Sequence, residues 1–171
     1  YHRHFSDKPL YRLNAGAYAS DDMRLLHSFR NKCFKWGYFT DTYISGTEYQ
    51  KSYSRSGKVK LMWCARLIPL KHPELAVRLA NELKLRNIDF ELNIYGNGEL
   101  RANIETLIKS LKLENHVYLR GNRPNTELLE EMRKSDIFLF TSNRREGWGA
   151  VVNEAMSAGC AVVCSDSAGC A

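Results

Sequence analysis

The sequence has no apolar run that approaches the ~20 residues required by a membrane-spanning helix, and it shows no internal repeat or low-complexity tract. It also lacks a CxxC pair, and no histidine cluster accompanies its five cysteines. An odd number of cysteines without metal-ligand spacing argues against a disulfide scaffold and against a zinc site. We therefore expect buried free thiols in a reducing cytoplasm.

Acidic residues are scarce only in the first third of the chain. Residues 1–60 carry 11 Lys/Arg against 5 Asp/Glu, whereas residues 61–171 carry 14 of each. The net charge of +6 therefore belongs to the first 60 residues, which also hold 12 of the 19 aromatic residues. Two interpretations stay open for this segment: aromatic packing at a face between two domains, or docking to anionic lipid headgroups. No RNP, KH or helix-turn-helix signature supports a nucleic-acid partner.

Residues 58–171 alternate between apolar strands and amphipathic helices. Strands are predicted at 58–65, 89–96, 116–121, 136–141 and 161–165, and helices at 70–84, 99–111, 125–134 and 149–159. Asn125 is the expected N-cap of the third helix, and Gly159 is expected to end the fourth. This pattern predicts an α/β fold with a parallel sheet covered by helices on both faces. Ligands of such sheets bind at the carboxyl ends of the strands.

Residues 1–57 do not follow this rhythm. DDMRLLHSFRN (21–31) could form a helix, and KWGYFTDTYI (35–44) a strand or an extended linker. The polar, turn-rich segment 45–58 predicts a boundary between the end of a preceding domain with its linker (1–57) and the α/β domain (58–171). Because the sequence stops at SDSAGCA, just after a strand, we expect that domain to be incomplete at its C-terminus.

The stretch SNRREGWGAVVNEAMSAGCAVVCSD (142–166) carries the clearest chemical signal. A strand ends, a loop follows with Glu146, and a helix begins after Gly149. Backbone N–H groups at a helix N-terminus attract phosphate, and glycine lets the backbone approach a ligand closely. Glu154 lies eight residues after Glu146. Carboxylates accept hydrogen bonds from hydroxyls, so this pair suits a ligand with sugars at both ends of a diphosphate.

This stretch resembles the C-terminal half of the retaining glycosyltransferases with two facing Rossmann-like domains, the group 1 or family-four class. There it usually stands as EGFG…EAM..G.PVV. CARLIPLKHPELAV resembles the GRL…KG…L segment of the same family. IYGNGEL, VYLRGN and KSDIFLFTS follow in the family's order and spacing. Five segments in register are far more specific than the glutamate pair alone.

The resemblance implies roles for particular residues. Glu146 would hold hydroxyls of the donor sugar, and Arg66 and Lys71 would neutralise the departing diphosphate. Glu154 would hold the ribose hydroxyls. Further donor-binding positions lie in the loop and first turn after Glu146, in the glycine loop, and beside the base: Gly147, Trp148, Gly149, Ala150, Val151, Gly96, Gly98, Asn122 and Arg123.

The implied reaction transfers a sugar from a nucleotide-diphosphate sugar to a sugar or lipid-linked acceptor. The anomeric configuration would be retained, and no metal or other cofactor would be required. We expect a UDP-sugar donor and a role in cell-surface polysaccharide or glycolipid synthesis. The enzyme would be cytoplasmic and could touch the inner face of the membrane. Because most of the acceptor-side domain would lie outside residues 1–171, we expect this stretch alone to be inactive.

The sequence departs from the family pattern in the segment that carries the cations. Ala65 stands where Gly is usual before the Arg, and His72 where Gly is usual after the Lys. His72 and Pro73 are expected to narrow the phosphate loop and to limit the reach of Lys71. Trp148 replaces the usual Phe and should stiffen the pocket.

Two alternative functions stay open. One is a non-catalytic module that binds nucleotide-sugars, and the other is a nucleotide-sugar epimerase on the same fold. A phosphorylase is disfavoured because no segment resembles a pyridoxal-phosphate lysine site.

Overall fold

The structure, a computed structural model, describes residues 2–37, 39, 40 and 57–170. Most of the predicted boundary segment 45–58 lies outside the described residues, as do residues 38 and 41–44 of the predicted strand or linker. The elements before this gap are α1 (His2–Phe5), β1 (Arg12–Ala15), α2 (Ala19–Leu25) and β2 (Cys33–Trp36).

Strands and helices alternate after the gap, as the sequence predicts. They are β3 (Val59–Cys64), a 3-10 turn (Pro69–Lys71), α3 (Pro73–Leu85), β4 (Phe90–Tyr95), α4 (Arg101–Ser110), β5 (Val117–Gly121), α5 (Asn125–Lys134), β6 (Ile137–Phe140), α6 (Ala150–Ser157) and β7 (Ala161–Cys164).

The five strands β3 to β7 form one parallel sheet in the order β5-β4-β3-β6-β7. The chain builds outward from β3 through β4 to β5, then returns to the other side of β3 with β6 and β7. The order therefore reverses between β3 and β6. In open α/β sheets this reversal opens a crevice at the carboxyl ends of the two strands, where ligands bind.

Both faces of the sheet are buried, because successive β3 side chains enter different cores. Trp63 packs in a core with residues of α3 and α4, and Met62 in a core with residues of α5 and α6. Trp63 is 1% exposed and Met62 is fully buried. Full burial of a large apolar side chain contributes roughly 1.5–3 kcal/mol. The predicted α/β fold, with helices on both faces of a parallel sheet, is confirmed.

The helix predicted at 70–84 is divided at His72. The 3-10 turn ends at Lys71, His72 adopts a left-handed backbone conformation (φ 46°), and α3 begins at Pro73. A proline disfavours helical geometry in the residue before it, so one helix cannot continue through residue 72. At the first helical position, however, the missing N–H of proline is tolerated.

Asn125 is not the N-cap of its helix, and that prediction was wrong. Pro124 occupies the cap position with extended backbone, and Asn125 is the first residue of α5. The Asn125 side chain instead lines a cleft together with Glu154 of α6. The sequence pattern showed a suitable capping residue but could not show this partner from another helix.

The elements observed in the first third of the chain differ more from the predicted ones than those of the α/β domain do. The helix proposed at 21–31 is α2, which ends at Leu25, and His27, Phe29 and Asn31 then adopt positive φ. β1, which the sequence did not reveal, pairs in parallel with β2. We call β1, α2 and β2 together the N-terminal unit. None of the helices in the described ranges is long and apolar enough to cross a membrane.

Candidate functional site

The candidate site lies at the reversal of strand order, where the segments after β3 and β6 meet. The Lys71 ammonium contacts the Glu146 carboxylate, and each side chain is only 16% exposed. Lys71 Nζ also lies 5.7 Å from the centroid of the Phe140 ring. Two predicted catalytic residues that are 75 positions apart in the sequence are therefore brought together. Because the charges neutralise each other, neither is buried without a partner.

His72 does not prevent Lys71 from reaching across the crevice. Its ring nitrogens lie 2.8 Å from Glu74 Oε1 and 3.1 Å from Asn143 Nδ2. Its left-handed backbone is a conformation that glycine adopts without strain, which explains the glycine usual at this position in the resembled family. His72 and Pro73 thus do not keep Lys71 from contacting Glu146, and their effect on its reach toward a diphosphate stays a prediction.

The loop after Glu146 turns sharply into α6. Gly149 has a left-handed backbone (φ 80°), and an added Cβ would lie 2.9 Å from Phe140 Cε1. Only glycine avoids both the strain and the overlap. The first backbone N–H groups of a helix lack intrahelical acceptors, so those of Ala150 and Val151 lie where an anion would be stabilised.

The N-terminal unit packs against this loop through glycine. The Gly147 carbonyl lies between Gly16 and Gly169, and a Cβ added at either glycine would come closer than the 3.0 Å minimum seen for real Cβ contacts. The Ala17 N–H donates to the Gly169 carbonyl (2.9 Å), and the Gly169 N–H donates to the Glu146 carbonyl (3.1 Å). Three distant segments of the chain thus fix the backbone around Glu146.

Two side-chain contacts extend this packing. The Tyr18 hydroxyl donates to the Asp166 carbonyl at 2.5 Å, and the Arg144 guanidinium lies 4.7 Å from the centroid of the Tyr18 ring. Trp148 lies against Gly37, at the end of β2, where an added Cβ would lie 3.2 Å from the indole ring. No sequence pattern indicated these contacts, because they join segments that are far apart along the chain.

Glu154 lies in a cleft of about 200 Å³ between α5 and α6. Asn125, Leu129, Arg133 and Thr40 also line this cleft. Burial raises the pKa of Glu154 above its usual value, and the hydrogen bond from Asn125 partly opposes that shift. A partly dehydrated carboxylate gains from any hydroxyl that donates a hydrogen bond to it.

The two glycines of the predicted glycine loop, Gly96 and Gly98, pack closely against the backbone of the loop after β3. A Cβ added at Gly96 would lie 2.9 Å from the carbonyl carbon of Ala65. A Cβ added at Gly98 would lie 2.8 Å from the carbonyl carbon of Leu67. Leu67 N–H also donates to the Asn97 carbonyl (3.0 Å). These glycines therefore let the loops after β3 and β4 pack backbone to backbone, and their contact with a donor stays a prediction.

The remaining predicted residues lie on exposed parts of the same sheet edge. Arg66 is exposed on the loop after β3, and Asn122 and Arg123 are exposed after β5. Arg123 pairs with Glu127 at 3.8 Å. Contact of these three residues with a donor stays a prediction. In the described part of the chain, no group of three or more His, Cys, Asp or Glu residues could hold a metal ion.

Known proteins share both the sequence pattern and the fold. The family model for glycosyl transferases group 1 matches residues 46–171. The amylovoran biosynthesis glycosyltransferase AmsK of Erwinia amylovora is 33% identical over 116 residues, which are 65% of this chain and 28% of AmsK. The poly(glycerol-phosphate) alpha-glucosyltransferase of Bacillus subtilis is 36% identical over 112 residues, which are 65% of this chain and 16% of that protein.

A solved structure gives the same picture of the fold. HepE from Anabaena, crystallised in complex with UDP, matches with a TM-score of 0.75 at 18% identity. The match covers 92% of this chain and 45% of HepE. The chain thus spans less than half the length of each of these three proteins. The family resemblance and the Rossmann-like fold predicted from the sequence are confirmed.

Proposed function

The chain belongs to the group 1 glycosyl transferases, and we propose that it supplies the donor site of an enzyme that transfers a sugar from a nucleotide-diphosphate sugar with retention of configuration. The contact between Lys71 and Glu146 beside the N-terminus of α6 carries this proposal. A cation, a carboxylate and a helix N-terminus at one point suit a diphosphate joined to a sugar.

Lys71 would stabilise the leaving group. As the bond from the anomeric carbon to the diphosphate oxygen breaks, negative charge accumulates on the diphosphate. A fixed cation that is 16% exposed is weakly screened by water, so it lowers the energy of that charge. Arg66, exposed on the loop after β3, supplies a second positive charge at this edge.

The contact with Lys71 also suggests how Glu146 becomes available to the sugar. Without a donor, the two side chains neutralise each other. A bound diphosphate would compete for the ammonium and leave the carboxylate of Glu146 free to accept hydrogen bonds from sugar hydroxyls. The acceptor oxygen would then bond to the anomeric carbon on the face that the diphosphate leaves, and its proton would pass to the departing diphosphate oxygen.

Glu154 and its cleft would hold the nucleoside end of the donor. The carboxylate would accept hydrogen bonds from the ribose hydroxyls, which would replace water lost on burial. The loop at Asn122 and Arg123 would meet the base. UDP is our preferred nucleotide, and the complex of HepE with UDP supports this choice.

The acceptor is proposed to belong to surface polysaccharide or glycolipid synthesis. Support comes from the amylovoran and poly(glycerol-phosphate) enzymes that the chain resembles. A cytoplasmic location, a peripheral membrane contact of the basic first third and a reaction without metal stay predictions.

A turnover assay on the full-length protein tests the proposal. UDP-, GDP- and ADP-sugars are supplied with acceptor and with EDTA, and the release of the free nucleoside diphosphate and the anomeric configuration of the product are measured. We expect one donor class to react with retention, and Glu146→Gln to abolish turnover while the exposed control Glu114→Gln keeps it. An inverted product, or full turnover by Glu146→Gln, would contradict the proposal. A protein that binds donors but transfers nothing would favour the non-catalytic module.

A further inference from the structure

The turn that carries Lys71 is held by a hydrogen-bonded hydroxyl from the neighbouring strand. The Trp63 indole N–H donates to Thr141 Oγ1 at 2.9 Å. The Thr141 hydroxyl donates to the Lys71 carbonyl at 2.6 Å. Thr141 directly follows β6, and Trp63 lies in β3, so this chain of bonds crosses the point where the order of strands reverses.

The direction of these hydrogen bonds is fixed by chemistry. An indole N–H can only donate, and a hydroxyl has one hydrogen to give. Trp63 is 1% exposed, so its N–H requires a partner inside the protein. Because Thr141 Oγ1 accepts from Trp63, its own hydrogen is available for the Lys71 carbonyl. Valine has the shape of threonine but would break both bonds, whereas serine would keep the hydroxyl.

The same segment also contacts the residues on either side of Lys71. The Asn143 N–H donates to the Leu70 carbonyl at 3.1 Å, and Asn143 Nδ2 lies 3.1 Å from His72 Nε2. Residues 70, 71 and 72 are thus each held by Thr141 or Asn143. Since the chain continues from Asn143 to Glu146, this segment sets the position of Lys71 relative to the carboxylate that it contacts.

We propose that Thr141 is a positioning residue that acts through Lys71, because its hydroxyl fixes the turn from which the ammonium reaches the Glu146 loop. This inference rests on the proposed function. A cation stabilises developing charge only when it is held in place, and a misplacement of about 1 Å can cost up to roughly 100-fold in rate. The effect should therefore appear in kcat more than in the KM for the donor.

The first test measures the position of Lys71 without using activity. Lysine acylation of the full-length protein is followed by mass spectrometry of the peptide that contains Lys71. We expect Thr141→Val to accelerate acylation of Lys71 several-fold and Thr141→Ser to leave it near the wild-type rate. Trp63→Phe removes the indole donor but keeps the bond to Lys71, so it should also leave the rate unchanged. An equal rate in the Val and Ser variants would overturn the inference.

The second test asks whether Thr141 acts through Lys71 in the reaction. We expect Thr141→Val to lower kcat at least tenfold with less than threefold change in KM, and Thr141→Ser to restore most of the rate. In a Lys71→Met background, Thr141→Val should have no further effect on kcat. An equal loss in both backgrounds would show a general structural role and overturn the inference.

Two controls separate the possible failures. If the orphaned indole N–H unfolds Thr141→Val, the comparison is made in the Trp63→Phe background, where no such donor remains. Normal turnover by Lys71→Met would refute the proposed role of Lys71 and with it the catalytic role of Thr141. The acylation rates would still report whether the hydroxyl holds the turn.

Discussion

Replacement of Gly16 by alanine should disturb the backbone around Glu146 from a distance. Two effects combine at this position. The left-handed backbone (φ 99°) is strained for alanine by about 1–2 kcal/mol, and the new Cβ would overlap the Gly147 carbonyl oxygen. Overpacking of this kind costs typically about 1–3 kcal/mol. The strain and the overlap together cost roughly 2–5 kcal/mol. Movement of the N-terminal unit away from the Glu146 loop would relieve the overlap.

Two other glycines separate these effects. At Gly121 only the backbone is unfavourable for alanine, because φ is positive (71°) but nothing lies within 4 Å of the added Cβ. Gly121→Ala should therefore lower the free energy of unfolding by only about 1–2 kcal/mol. Gly169→Ala carries the overlap with Gly147 alone and should cost about 1–3 kcal/mol. Because Gly16 and Gly169 press on the same carbonyl, their double substitution should cost less than the sum of the single changes.

Urea unfolding of the full-length protein measures these costs, and turnover measures their effect on the site. We expect the Gly16 and Gly169 variants to lose kcat because the Glu146 backbone moves, whereas the loss in Gly121→Ala should be confined to stability. The reasoning would be refuted if Gly16→Ala were no less stable than Gly121→Ala, or if it kept full turnover.

Three further predictions concern single side chains. Burial raises the pKa of Glu154, so ionisation of this carboxylate lowers the stability of the fold as the pH rises through that pKa. Glu154→Gln should therefore raise the Tm at pH 7.5 but not at pH 3. The same substitution should weaken nucleotide binding. Glu131 is the opposite control, because Lys134 lowers its pKa, and Glu131→Gln should lower the Tm at pH 7.5. Burial and the charge of Glu154 raise the pKa of Cys64 to about 11, so iodoacetamide at pH 8 should label it slowly, and faster in Glu154→Gln. Phe90 is fully buried, so Phe90→Ala should cost about 3–5 kcal/mol in urea unfolding, whereas the exposed Leu85→Ala should cost little.

The sheet and its helices could be predicted because the relevant signals are local. The segment of β3 reads as a continuous apolar run and that of β4 as an alternation of Phe90, Leu92 and Ile94, and side chains of both strands enter buried cores on both faces. The order of the strands is not a local property, and no residue pattern indicated that β3 would lie between β4 and β6. β1 escaped prediction because a four-residue strand with one buried side chain has almost no pattern.

The candidate site also has a part with a local sequence signal and a part that depends on the fold. Glu146 and Glu154 could be proposed from their spacing in a recognisable motif, and Lys71 from its own segment. The contact between Lys71 and Glu146 depends on the packing of two loops and became visible only in the fold. Thr141 could not be proposed at all, because a threonine after a strand has no distinctive signal until its two hydrogen bonds are known.

In the proposed function, a nucleoside diphosphate binds at the edge where β3 and β6 meet, with Lys71 on the diphosphate and Glu154 on the ribose. Calorimetry of the full-length protein with UDP and with uridine tests this binding mode. A charge-assisted hydrogen bond is worth about 1.5–3 kcal/mol, or roughly 10–100-fold in affinity. We predict that Lys71→Met lowers the affinity for UDP by this factor but leaves the affinity for uridine unchanged. Glu154→Gln should lower the affinity for both ligands, and the exposed control Lys109→Met should lower neither affinity. Equal affinity of UDP for the wild type and for Lys71→Met would show that Lys71 does not bind the diphosphate and would contradict this binding mode.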